Sequence, residues 1–358
     1  MRRVLLVPIV AAVLVLATAS AAFACGSLIG PNGAVHLVRT STLAAWHDGV
    51  EHYVTNFEFA SNQTSFGSII PLPAEPTTVE RGGDWTLQRL AREVAPLRRA
   101  LDGDVVEAAP RTNGVDVLQQ TRIDSLDVTI LRGGGAAVAD WAAQQGFDLT
   151  SDTPDVLEFY SHRSPYFMAA KFDATAAVAQ GLNSGDGIPV HLTIPVERPW
   201  VPLRILGTGK PASEPVRADV FLLTDAQPSL LAGPGLRLER SEPASGSLLD
   251  DLRADRGMGW VPHEMWLTYL KADVDVGDLT YDLAAAPSRY EAPLVRDTGV
   301  DHAGSLVVPS LDETGGVGPV ALVVGVAAAL VVLGGALSAR MARERRHAAV
   351  GRSPRSSH

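Results

Sequence analysis

Two long uncharged stretches bracket this chain, and each restricts what the residues between them can become. Residues 4–17 form an apolar run behind Arg2 and Arg3, and residues 317–339 form a longer one. The first has the parts of a secretory signal: a basic start, a short apolar run, and the small-x-small sequence Ala22-Phe23-Ala24. Cleavage after Ala24 makes Cys25 the first mature residue. The second run needs about 1.5 Å per residue as a helix, enough to cross a hydrocarbon core of about 30 Å. Arg340, Arg343, Arg345, Arg346 and two further arginines follow it, against the single acid Glu344. Positive charge on that side places the tail in the cytoplasm and the main domain outside. The expected division is a signal peptide at 1–24, an extracytoplasmic domain at 25–290 and a flexible stalk at 291–316. A transmembrane helix at 317–339 and a basic cytoplasmic tail at 340–358 complete it. The expected location is the bacterial cell membrane, crossed once.

Both ends carry finer readings. Cys25 is a candidate for lipidation or a free thiol. Lipoprotein signals favour Leu three residues before the cysteine and small residues between, and here Ala22 and bulky Phe23 fit poorly. Ordinary cleavage and an uncleaved anchor stand beside that reading. In the second run Ala321, Gly325 and Ala329 recur every four residues, so one helix face is small enough for close approach of a second copy. That makes a homodimer through the span a candidate, although an Ala/Val/Gly-rich helix produces the same spacing by chance. The tail arginines stop transfer and touch anionic lipid.

With the eight basic residues of the two ends and Glu344 set aside, residues 25–316 keep 22 Lys+Arg against 39 Asp+Glu, a net charge of −17. Such a surface repels nucleic acid and anionic head groups. Cys25 is the only cysteine, so no disulfide forms within the chain and stability rests on the core. Lysine is confined to Lys171, Lys210 and Lys271, while Arg, Ala, Val and Gly are frequent, the composition of a GC-rich bacterial genome.

Periodicity predicts an α+β fold with a mixed, mainly antiparallel sheet and a few helices. Strands are expected at 34–39, 51–60, 66–72, 126–131, 166–172, 188–196, 201–206, 216–223, 236–240, 265–272 and 279–283. The strand at 51–60 alternates Tyr53, Thr55, Phe57 and Phe59 with His52, Val54, Asn56 and Glu58, and His47-Asp48-Gly49 ahead of it suits a hairpin turn. Helices are expected behind Asp84, with an apolar stripe from Leu87 to Leu101, and at 136–145, 154–162 and 247–254.

No motif carries chemistry on its own. Gly133-Gly134-Gly135 sits between a strand and a helix but lacks the phosphate-loop lysine and the spaced glycines of a dinucleotide site; a tight turn explains it. His263-Glu264 begins a zinc-protease pattern whose second histidine would stand where Leu267 is, and packing of Trp260 and Trp266 suits that segment better. His47 and His52, with Asp48 and Glu51, form a candidate surface metal site; solvated polar residues around a hairpin are the simpler reading. Arg204, Asp127, Lys171 and His191 interrupt apolar strands, where a buried charge must be paired.

Ala24-Cys25-Gly26, Phe57-Glu58-Phe59, Phe66-Gly67-Ser68-Ile69-Ile70-Pro71-Leu72-Pro73, Asp127-Val128-Thr129-Ile130-Leu131, Gly146-Phe147-Asp148, Tyr166-Phe167-Met168-Ala169-Ala170-Lys171-Phe172 and Pro202-Leu203-Arg204-Ile205 occur in that order. Together with Val220-Phe221-Leu222-Leu223 they resemble the bacterial exported family of unknown function numbered 2330, over about residues 24–270. The resemblance implies export and a single module, with no established reaction. It also implies a further cysteine soon after Ala-Cys-Gly in many members, which this chain lacks.

The expected function is that of a membrane-anchored, non-catalytic binding or interaction module of the cell envelope. It needs no cofactor and no nucleic acid, and its partners are membrane lipid, through the C-terminal helix, and an unidentified envelope component. An envelope hydrolase with a site assembled from distant residues is the alternative.

Overall fold

The computed structural model describes residues 27–30, 33–34, 40–58, 65–94, 116–181, 187–300 and 303–311. Ala24, Cys25, the run at 317–339 with Ala321, Gly325 and Ala329, and the arginines Arg340, Arg343, Arg345 and Arg346 lie outside them. Among the described residues no helix is long and apolar enough to cross a membrane.

In chain order the elements are β1 (Ser27–Gly30), β2 (Gly33–Ala34), β3 (Thr40–His47), β4 (Val50–Glu58), β5 (Ser65–Leu72), β6 (Thr78–Arg81), α1 (Thr86–Val94), β7 (Asp116–Ile123) and β8 (Leu126–Arg132). Then come α2 (Gly135–Gln144), α3 (Thr153–Ser161), β9 (Tyr166–Asp173), α4 (Ala174–Ala179), β10 (Gly187–Pro195), β11 (Trp200–Val201) and β12 (Pro215–Thr224). The last are β13 (Ser229–Leu231), β14 (Leu236–Pro243), α5 (Gly246–Ala254), β15 (Trp266–Asp275) and β16 (Leu283–Ala286).

Seven strands join in the order β14-β15-β12-β3-β4-β10-β6, six in the order β2-β1-β5-β9-β8-β7, and three in the order β11-β16-β13. The β12–β3 pair is parallel and the other pairs of the two large sheets are antiparallel. This is the expected mixed α+β architecture. The period-two alternation of each strand sends one set of side chains inward. Tyr53, Val190, Leu192, Val220 and Leu270 of the larger sheet meet Ile70, Val128, Ile130, Met168 and Phe172 of the smaller one in the central core. Leu43, Ala45, Val54, Phe221 and Leu223 point to the other side of the larger sheet and are covered by Leu87 and Leu90 of α1 and Leu248, Leu249 and Leu252 of α5. Ile69, Leu131 and Phe167 do the same on the smaller sheet, under Val138 and Trp141 of α2 and Leu157 and Tyr160 of α3. The layers therefore run helices, sheet, sheet, helices.

Several expectations change. β3 runs straight into the hairpin, where Asp48 (φ 47°) and Gly49 (φ 80°) form the left-handed pair that a two-residue turn favours. Its Thr40, Ser41 and Thr42 are buried, so a central strand covered on both faces shows no polar alternation to read. The strand expected at 201–206 is only β11, followed by a 3-10 turn at Arg204–Gly207. Asp282 Oδ1 accepts the amides of Leu203 (2.8 Å) and Arg204 (3.1 Å), which pulls the backbone out of any ladder. Likewise the strand expected at 279–283 begins at Leu283, because Leu279 closes a turn onto Asp275 and Asp282 faces inward. Within the stretch expected as a stalk, Val295–Thr298 forms a 3-10 turn and Val307 bridges Ala232.

Candidate functional site

The outer face of the larger sheet carries a row of ionisable groups that crosses five strands. Alternation puts His52 on the face of Val54, away from the central core. In the β4–β10 register Val54 stands opposite His191 and His52 opposite Thr193, so the two histidines are diagonal neighbours. His191 in turn stands opposite Glu80 of β6. On the other side His52 is opposite Ala45, two pairs away from His47 at the end of β3. The parallel β12–β3 pair sets Thr224 against Trp46, which carries Asp225 to His47.

The contacts follow that register. Asp225 Oδ1 lies 2.6 Å from His47 Nδ1. His52 Nδ1 and His191 Nε2 share a hydrogen bond of 2.9 Å. His191 Nδ1 is 3.2 Å from Glu80 Oε1, close but off the hydrogen-bonding direction. Trp260, from the loop after α5, lies flat on His52 with ring centroids 3.5 Å apart and planes 3° from parallel. His191 is 1% exposed, and His52 and Trp260 are part-buried.

Burial decides the charge state. Desolvation, helped by the positive potential of His191 and His47, pushes His52 down to about 3. Desolvation also lowers His191, against the pull of Glu80. Both rings are neutral at pH 7. A base that weak takes few protons at neutral pH, so the pair is suited to hydrogen bonding and stacking rather than to general-base work.

The expected metal constellation is rearranged. His47 keeps Asp48, but its other partner is Asp225, and the three offer donor atoms within 4.8 Å of one another. A His/carboxylate set of this kind suits a divalent ion, and with the Asp48 side chain 88% exposed such an ion would keep much of its water. His52 is turned to His191 instead. Glu51 is on the opposite face, fully buried, and accepts the Trp200 amide at 3.1 Å.

The charged residues that interrupt strands do not form one site. Asp127 stands opposite Lys171 in the smaller sheet, where Arg122 binds its carboxylate and Lys171 Nζ donates to the Gln145 carbonyl. The Arg204 guanidinium lies 4.0 Å over the Phe159 ring. Only His191 belongs to the row on the larger sheet. The triple glycine is a packing device: Gly135 N donates to Glu158 Oε2, and a Cβ there would strike the Glu158 backbone. His263 and Glu264 are exposed, while Leu267 is buried. Trp266 Nε1 donates to Ser241 Oγ, and Trp260 has His52 as its stacking partner. Glu80 and Trp260 were unreadable as partners of His52 and His191, since long-range strand pairing and the loop after α5 bring them together.

A family model described as "Uncharacterized protein conserved in bacteria (DUF2330)" matches residues 18–226. The chain belongs to this family. The matched span holds Glu80, His52 and His191 of the candidate site and stops short of Trp260. No curated protein matches the chain. Among solved structures, the crystal structure of baculovirus P35 is similar at 9% identity, with a TM-score of 0.30 over 53% of this chain and 64% of that one. A mutated baculovirus P35 after caspase cleavage has 7% identity and a TM-score of 0.31, over 70% of this chain and 94% of that one. The DUF2330 chain thus spans 64% of the first of these structures.

Proposed function

We propose that this DUF2330 protein is a membrane-anchored, extracytoplasmic binding module of the bacterial cell envelope, and that part-buried His52 and Trp260 make the contact with its partner. The observation that carries the binding reading is the stacked His52–Trp260 pair, whose imidazole is neutral and whose second ring nitrogen has no hydrogen-bond partner among the described residues. An aromatic face beside an oriented polar atom is a recognition surface. The exported, anchored placement is supported by the apolar run at 317–339, the arginines Arg340, Arg343, Arg345 and Arg346 behind it, and the leader ending at Ala24. The close-packing face of Ala321, Gly325 and Ala329 supports pairing of two copies in the membrane.

The test is photo-crosslinking in intact cells, with the reactive group introduced at Trp260. A discrete adduct that disappears in His52→Ala supports the reading. Intact, folded protein that yields no adduct at Trp260 while crosslinking elsewhere overturns it. A reporter fused after residue 358 should be active only in the cytoplasm; activity outside rejects the topology.

A further inference from the structure

Two neutral histidines joined by one hydrogen bond can hold their protons in two ways only. Each neutral imidazole has one N–H and one lone pair. In the first arrangement His191 carries its proton on Nδ1, His52 Nδ1–H donates to His191 Nε2, and His52 Nε2 is left with a lone pair. In the second, His191 Nε2–H donates to His52 Nδ1, His52 carries its proton on Nε2, and His191 Nδ1 bears the lone pair.

Glu80 distinguishes them. Its Oε1 is 3.2 Å from His191 Nδ1. The second arrangement sets a lone pair against a carboxylate oxygen at a ring that is 1% exposed, where little water screens the repulsion. The first sets an N–H there. The contact is off the ideal hydrogen-bonding line, yet the sign of the electrostatic preference does not depend on alignment. Gly257 (φ 70°) lies beside the pair: a Cβ there would stand 3.6 Å from His191 Nδ1 and 3.7 Å from Glu80 Oε1. At the far end, the stack on Trp260 holds the His52 ring in one orientation.

We infer that Glu80, acting through His191, sets the tautomer of His52 so that Nε2 presents a lone pair beside Trp260, making the site an acceptor for a ligand's N–H or O–H group. Glu80 and His191 are then positioning residues, and His52 makes the contact. An ionised carboxylate or a phosphodiester, which offers only lone pairs, is rejected. This deepens the binding reading above, but the tautomer is a property of the protein alone and is measured without any partner.

The experiment is long-range ¹H–¹⁵N NMR of the full chain in detergent micelles, labelled with ¹⁵N-histidine. His52→Ala and His191→Ala serve only to assign the two rings. The expected spectrum at pH 7 shows a protonated, pyrrole-type Nδ1 and an unprotonated, pyridine-type Nε2 on both rings. A pyrrole-type Nε2 on His52 overturns the inference outright. In Glu80→Ala the bias is gone, and the His52 nitrogens should move toward intermediate shifts as both arrangements become populated. If the variant keeps the wild-type shifts, Glu80 does not set the tautomer. Glu80 is half-exposed on an edge strand, so the variant should fold, and the wild-type spectrum decides the tautomer even if it does not. Loss of crosslinking at Trp260 with this spectrum intact would reject the binding reading and leave the tautomer standing.

Discussion

The buried carboxyl of Glu51 accepts the backbone amide of Trp200 at 3.1 Å, and its other oxygen has no hydrogen-bond partner among the described residues. Burial, only partly offset by that amide and by Arg163, lifts Glu51 from 4.5 to about 8. The folded chain therefore holds a proton that the unfolded chain releases. The associated stability is complete below about pH 4.5 and is lost as pH rises through about 8. Asp282, raised by burial to about 6, acts in the same sense at lower pH. His52, lowered to about 3, acts oppositely and loses stability as pH falls from 6.5. Between pH 6.5 and 8 the Glu51 effect dominates. Thermal unfolding followed by tryptophan fluorescence should show stability falling across that window, by at most about 1.4 kcal/mol per pH unit. Glu51→Gln should flatten it, and an unchanged slope in that variant would reject the assignment.

Asp255 holds α1 to the end of α5. Its carboxylate accepts the amides of Asp84, Trp85 and Arg256 at 2.9 Å each and the Thr86 hydroxyl at 2.8 Å. Asp255→Ala leaves several donors of a helix start unpaired and should cost about 2–3 kcal/mol. Denaturant titration gives the loss, and hydrogen exchange should show it first in α1. Uniform loss of protection across the sheets instead would contradict this local role.

Tyr160 serves two partners. Its hydroxyl donates to Asp282 Oδ1 at 2.8 Å and accepts the Ile205 amide at 3.0 Å. Tyr160→Phe keeps the ring and strands that amide in the interior, so a loss of about 1–3 kcal/mol is expected by the same titration. A neutral result would mean that water replaces the hydroxyl.

Neighbouring glycines should differ sharply. A methyl at Gly135 meets the Glu158 backbone, whereas one at Gly134 stands 3.9 Å from a flexible Glu158 oxygen. Gly135→Ala should destabilise by about 1–3 kcal/mol as α2 and α3 are forced apart, and Gly134→Ala by under about 0.5 kcal/mol. Equal melting temperatures for the two variants would contradict the packing role.

Much of the local structure was readable because it depends on neighbours in sequence. The alternation in β4, the Asp48-Gly49 turn and the apolar run of β12 all express short-range rules. Elements fail to show where burial is two-sided or a distant side chain intervenes. β3 hides its strand behind buried Thr40, Ser41 and Thr42, and the backbone after Val201 turns because Asp282 takes its amides. The site is of that second kind. Period two places His52 and Val54 together, but His191 reaches His52 from 139 residues away.

What the sequence by itself determined is therefore many of the strands and helices, the acidic balance of residues 25–316 and which side chains share a face within those strands. Only the tertiary structure decided which faces meet. Strand order β4-β10-β6 lines up His52, His191 and Glu80, and the loop after α5 lays Trp260 on the first of them. The same register buries Glu51, one residue from His52, on the opposite face. Periodicity records which side of a strand a residue takes, while burial and its pKa consequences depend on what long-range pairing brings against that side.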